Sequence, residues 1–429
     1  MKRVLIITYY WPPSGGAGVQ RWLKFVKYLP QYGWDPIVLT VDPDKASYPQ
    51  KDESLIEEIN SDIKVFHTNT FEPYNLYKKI SSNKETPYGG FVNSEKNNFK
   101  EKVLRWIRGN FFLPDPRKGW NRYAIKKAKE LITQYSIEVV VTTSPPHSTQ
   151  LIGLELKKKT GIKWVADLRD PWVDIYYFKQ LYPSFIATGI HKNFERKVFK
   201  YADNIITVSP QLKRIFSNKA ENISDKIKVI PNGFDEEDFA DFYKLPANEK
   251  FTLSYVGTIS EKYNIDGLIS GILLLPESIK SNIKIQFIGK LSNDLYDLFS
   301  RAGLKDLVEV IGYVEHKKAI KYMCTSQLLL LIIPKVKDNE GILTGKMFEY
   351  LATQKPILYI GPTNGDAANI IAECESGDSC DYNDSVKIKE VILKHFNSFS
   401  SKNVTPVINK EIAKYSRQNL TKIVAGILD

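Results

Sequence analysis

Apolar positions in the first fifty residues switch between two periods. Residues 4–7 are a continuous apolar run, the pattern of a strand covered on both faces. Ser14-Gly15-Gly16-Ala17-Gly18 interrupts the run, and Val19, Trp22, Leu23, Val26 and Leu29 then recur at helical spacing. Gly33 ends that unit and residues 36–40 read as the next strand. The alternation continues with strands at 138–143, 163–167 and 204–209 and a helix at 150–159. After an acidic, proline-bearing stretch at 231–246 a second series begins, with strands at 252–257, 283–289, 308–312, 328–333 and 356–360. The pattern predicts an α/β protein of two Rossmann-like parallel-sheet halves. The N-terminal domain is expected over 1–240, with a C-terminal helix near 408–429 packing back on it, and the C-terminal domain over 245–405. The polar stretch 81–98 reads as a loop.

A length of 429 residues suits two domains of about 200 residues each. The longest aliphatic stretch, 328–333, falls far short of the ~20 residues of a spanning helix. The apolar run at the N-terminus is too short for a signal peptide. Three cysteines (Cys324, Cys374, Cys380) do not make a disulfide framework or a zinc site, which points to a reducing, cytoplasmic setting. Charge is uneven. Residues 1–240 hold 37 Lys+Arg against 27 Asp+Glu, and the remainder 23 against 22, so the first half is expected to face something anionic.

In open parallel sheets ligands bind beyond the carboxyl ends of the strands, so the chemistry is sought there. Gly15 and Gly16, after the first strand, suit close backbone approach to an anion or sugar, or simply a turn. A dinucleotide fingerprint fits poorly, because Arg21 takes the place of its third glycine. Asp167, Arg169, Asp170 and Trp172 follow a later strand and offer hydroxyl acceptors beside an aromatic wall, or a structural ion pair. In the second half Gly257 and Thr258 end a strand and Lys262 follows. Glu340, Thr344, Gly345, Lys346 and Glu349 lie in a loop that runs into a helix. There Lys346 joins the helix's positive end as a diphosphate site, and Glu349, one turn on, can accept ribose hydroxyls; an ordinary i,i+3 surface pair is the plainer alternative. Asp42-Pro43-Asp44 reads as a turn rather than a metal pair, and no metal is expected.

Between 96 and 129 eleven basic residues stand against two acids (Glu101, Asp115), interleaved with aromatics. Lys102, Arg105, Trp106, Arg108, Phe111 and Phe112 suit a short amphipathic helix in an anionic membrane interface; a solvated basic face is the plainer alternative. No nucleic-acid module is visible.

Gly15-Gly16, the run Val229-Ile230-Pro231-Asn232-Gly233-Phe234-Asp235 and the run from Lys346 to Ile357 resemble family 4 retaining glycosyltransferases of the GT-B fold. Pro145-Pro146, Asp167 to Trp172 and Leu113-Pro114-Asp115-Pro116-Arg117 resemble a bacterial surface-polysaccharide subgroup. The resemblance implies two domains facing each other across a cleft. It implies a nucleotide-sugar donor (a UDP-sugar first) on the second and a glycan or lipid-diphosphate-linked acceptor on the first. It also implies transfer with retention and no structural metal, and the basic segment is then expected to seat the first domain on the inner face of the plasma membrane. Asp170, Arg169, Lys346 and Glu349 are then the residues nearest the chemistry. The chain departs from the family where Gly341 stands for the first of its paired glutamates, with Glu340 adjacent. It departs again where Thr258 replaces an arginine. An epimerase of the same fold and a non-catalytic sugar-nucleotide binder are the alternatives.

Overall fold

The computed structural model describes residues 1–72, 99–175, 177–402 and 409–429; the 81–98 loop lies outside them. The chain forms two compact units, Met1–Pro231 with Leu420–Asp429, and Asn232–Asn419.

The first unit runs β1 (Lys2–Ile7), α1 (Ala17–Tyr28), β2 (Trp34–Val41), β3 (Lys64–Thr68), α2 (Phe99–Phe111), α3 (Asn121–Gln134), β4 (Val139–Ser144), α4 (Ser148–Thr160), β5 (Lys163–Leu168), α5 (Phe185–Tyr201), β6 (Asn204–Thr207), α6 (Pro210–Ser217) and β7 (Ile227–Val229). Its sheet is parallel throughout, in the order β3-β2-β1-β4-β5-β6-β7. Alternate residues of each strand feed opposite faces. Leu5, Ile7, Ile37, Leu39 and Val140 enter one core, while Val4, Ile6, Val38, Val139 and Val141 enter the other. Because both faces are covered, strand runs such as 4–7 and 139–141 are apolar at successive positions and lack the period-two alternation of a half-exposed sheet.

The second unit runs β8 (Phe251–Val256), α7 (Asp266–Leu273), α8 (Glu277–Lys280), β9 (Ile283–Ile288), α9 (Asn293–Arg301), β10 (Val308–Gly312), α10 (His316–Thr325), β11 (Leu328–Ile332), α11 (Gly345–Ala352), β12 (Ile357–Ile360), α12 (Asp366–Glu373), β13 (Gly377–Cys380) and α13 (Ser385–Ser400). The parallel order is β10-β9-β8-β11-β12-β13. Its two cores divide the same way, with Leu328, Leu330 and Ile332 on one face and Leu329 and Leu331 on the other.

The last helix, α14 (Arg417–Leu428), begins in the second unit and ends in the first, where Leu420, Val424, Ala425 and Leu428 join the core of Val4 and Ile6. Strand order reverses between β1 and β4 in one sheet and between β8 and β11 in the other. At such switch points adjacent loops part and leave a crevice. Among the described residues no helix is long and apolar enough to cross a membrane.

Candidate functional site

The loops after β8 and β11, at the switch point of the second unit, bring Gly257, Thr344, Gly345, Lys346 and Glu349 together. Helix α11 starts at Gly345 behind an extended Thr344 whose side chain caps none of its N–H groups. The first turn therefore keeps donors for a ligand. Tyr350 fixes the helix to β8, its hydroxyl accepting from the Val256 amide at 2.8 Å. Lys346 reaches back over Tyr255. Its Nζ lies 4.0 Å from the ring centroid and donates to the hydroxyl at 2.7 Å, while that hydroxyl donates to the Thr258 carbonyl at 3.1 Å. Burial lowers the Lys346 ammonium to about 7 against the upward pull of Glu349.

Glu349 lies one turn further on, its Oε1 2.9 Å from His316 Nε2. Burial pushes its carboxyl up. The hydrogen bond and charge of His316, with Arg417 and Lys346 nearby, outweigh this and hold it below the ordinary range. Lys262 lies in the loop after β8, its carbonyl accepting from the Lys335 amide at 2.8 Å. It lines a cavity of about 520 Å³ with Tyr263, Asp294, Arg301 and Lys335. Thr258, just past the end of β8, is exposed. Glu340 sits in a turn at Asn339–Gly341, packed against Gly365, and no hydrogen bond joins it to Glu349 among the described residues. Tyr255, His316 and Arg417 escaped the sequence reading. His316 had a signal, since it opens the helix that follows β10, a few residues beyond the strand's carboxyl end.

In the first unit Gly15 is buried against residues 50–52, its amide donating to the Gln50 carbonyl at 2.9 Å. Gly16 is the residue before α1 and takes φ 97°, a value that favours glycine. The other predicted residues do unequal work. Asp167 is sealed: Arg21 holds both its oxygens at 3.1 and 3.2 Å, and Trp22 and Thr143 donate to it at 2.7 and 2.8 Å. Arg21 also donates to the Pro231 carbonyl at 2.9 Å. Asp167 thus presents no oxygen to solvent and ties β5 to α1. Trp172 is buried too, its indole donating to His191 Nδ1 at 3.0 Å and stacked on His147 at 4.6 Å. The face expected to meet a sugar carries His147 instead. Arg169 spends its guanidinium on the carbonyls of Gly18, Ser144 and Pro145 at 2.8, 3.0 and 3.4 Å. Asp170 is half-buried and makes no ion pair among the described residues. Burial pushes its carboxyl up, with Arg169 drawing it down.

The basic segment divides. On α2 Lys102, Trp106 and Phe111 are exposed and Arg105 and Arg108 half-buried; Phe112, just beyond, is half-buried. From Leu113 onward the chain turns inward. Asp115 accepts from the Ser148 amide and hydroxyl at 2.7 and 2.8 Å at the start of α4, Arg117 is buried against the Ser47 carbonyl at 3.1 Å, and Trp120 is core. Those residues build the domain.

Residues 89–238 match the family model of Glycosyltransferase Family 4. An uncharacterized glycosyltransferase of Methanocaldococcus jannaschii is 22% identical over 271 residues, 60% of this chain and 63% of that protein. That match therefore spans less than two thirds of the relative's length. Among solved structures, Anabaena HepE in complex with UDP-glucose superposes with a TM-score of 0.61 at 14% identity, covering 99% of both chains. Sucrose-phosphate synthase of Thermosynechococcus elongatus superposes with a TM-score of 0.58 at 14% identity, covering 99% of this chain and 98% of that one. These likenesses are of fold, the GT-B class of two Rossmann-like parallel-sheet domains.

Proposed function

We propose that this chain is a retaining glycosyltransferase. It moves a sugar from a nucleoside-diphosphate sugar, UDP-linked by preference, to a glycan or lipid-diphosphate-linked acceptor, in surface-polysaccharide assembly at the inner face of the plasma membrane. The observation that carries the reading is the group after β8 and β11: an enclosed ammonium at the open first turn of α11, with a fixed carboxylate one turn on. A diphosphate meeting that turn takes N–H donors, the helix dipole and the Lys346 charge together, in surroundings where each counts for more than in water. Lys262 is assigned to the same leaving group. Glu349 is assigned to the ribose hydroxyls, and Asp170 and Arg169 to the acceptor side. The bond from the anomeric carbon to the diphosphate oxygen breaks as the bond to the acceptor oxygen forms on the same face, and the acceptor's proton passes to the departing diphosphate. Stabilising the charge that develops on the leaving group is then the largest catalytic contribution.

The resemblance in motifs, the family match and a fold shared with a UDP-glucose-binding protein support this reading. A thermal-shift panel of UDP-, GDP-, ADP-, TDP- and CDP-sugars tests it, because a ligand of the native state raises the midpoint by mass action. One donor should shift the wild type and fail to shift Lys346→Ala. Equal shifts in both proteins would place the donor elsewhere, and no shift from any donor would overturn the reading. Product analysis without an acceptor separates transfer from epimerisation.

A further inference from the structure

The first unit leaves large apolar side chains in water where two remote segments meet. On α2 the outward positions Phe99, Val103 and Trp106 follow at spacings of four and three, one face of the helix. Phe111 is 70% exposed at the helix end, its ring 5.6 Å from that of Trp106. Far along the chain, Phe185 and Ile186 open α5 at 93% and 73% exposure. Asn110 joins the two segments: its Nδ2 donates to the Tyr182 carbonyl at 3.0 Å, and its Oδ1 accepts from the Ser184 amide at 2.7 Å. Gly109 permits the approach, since a Cβ there would lie 2.2 Å from the Leu181 carbonyl oxygen. Exposed large apolar side chains grouped on neighbouring segments mark an interaction surface.

The charge beside the patch selects the partner. Along the outer face of α5, helical spacing from Phe185 runs to Lys192, Arg196 and Lys200, all exposed, and Lys102 is exposed on α2. An apolar tip continued by a cationic stripe is the complement of an anionic bilayer, with acyl boundary beneath and phosphate headgroups above.

We infer that Phe185 and Ile186, held beside Trp106 and Phe111 by Asn110, form a two-segment foot that seats this protein on an anionic lipid surface, with Lys192, Arg196 and Lys200 on the headgroups. This deepens the membrane-facing part of the function proposed above and rests on it. The α5 half was invisible to the sequence reading, which saw only the basic segment around α2.

The test is flotation of the full chain with vesicles of phosphatidylcholine alone or with about a third phosphatidylglycerol. The wild type should float only with the anionic vesicles and be released at high salt, where headgroup attraction is screened. The double variant Phe185→Ser, Ile186→Ser should lose about tenfold or more in partitioning. Lys192→Glu with Arg196→Glu should lose at least as much, since each cation contributes about fivefold. The thermal shift by the donor identified above, measured on the same preparations, reports on the second unit, so a failed donor reading and a failed docking reading are separable. Absence of flotation by a wild type that still binds donor would overturn the proposal. Unchanged flotation of the serine variant would do so too, as would self-association through Phe185 without vesicle binding.

Discussion

Gly257 and Lys346 share one space: a Cβ on Gly257 would stand 2.9 Å from the Lys346 Nζ, and Gly257 holds φ at 117°, outside the range of other L-residues. The glycine ending β8 is therefore a condition for the ammonium ending where it does. Gly257→Ala should cost about 1–3 kcal/mol in stability through backbone strain. It should also weaken donor binding by displacing the lysine. A denaturant titration and a donor titration on the same variant measure the two effects. Wild-type donor affinity would show that the Lys346 position is unimportant.

Lys346 carries a pH signature. Its folded-state value near 7 lies below the ordinary 10.5, so between the two the unfolded chain binds the extra proton, and this group's contribution to stability rises with pH across that window. Donor binding runs the other way. Above about 7 the free site must take up a proton to meet a diphosphate, so affinity should fall by up to about tenfold per pH unit. Calorimetry in buffers of different ionisation enthalpy should register proton uptake in the wild type and none in Lys346→Met.

His316 supports Glu349 through one hydrogen bond of 2.9 Å. His316→Ala should raise the donor KM about tenfold, the cost of a charge-assisted bond, while leaving kcat nearly intact. His316→Gln can still donate and should recover most of the loss. Glu349 contributes stability above its unfolded value that disappears as pH falls through its lowered folded value. The acid limb of the stability profile should therefore shift upward in His316→Ala. Equal profiles would dissociate the two residues.

The Arg21–Asp167 pair has no exposure on either side chain. Removing one partner leaves a buried charge without its counterion, so Arg21→Met or Asp167→Leu should each destabilise by about 3–5 kcal/mol. The double variant should recover much of that loss. Chemical denaturation of the three variants forms the cycle; additive losses would argue against coupling.

Most strands of both sheets were legible because they lie between two apolar cores and carry apolar runs, as at 4–7 and 328–333. The strands that escaped are β3, β7 and β13, all at or near a sheet edge. β13 reads Gly377-Asp378-Ser379-Cys380, and its half-exposed positions carry polar side chains. The position of Lys346 and Glu349 one turn apart at a helix entry was legible because their spacing is local. Asp167 was legible as a charged strand end, yet its partner is Arg21, 146 residues away, and no spacing rule connects them.

What the amino-acid order fixes alone is therefore whatever depends on neighbours in the chain: strand and helix periods, the glycine turns, and the cation and carboxylate one helical turn apart. Which carboxylates are already occupied, which aromatic faces are covered, and which exposed side chains from distant segments share a surface depend on contacts between remote residues. Asp167 and Asp170 are three residues apart, but burial against Arg21 consumes the first while the second keeps its oxygens unpaired among the described residues. The segments that carry Phe111 and Phe185 are tied by the hydrogen bonds of Asn110, although 74 residues separate Asn110 from Ser184. Those outcomes follow from desolvation and long-range packing, which appear only when the sheet has assembled.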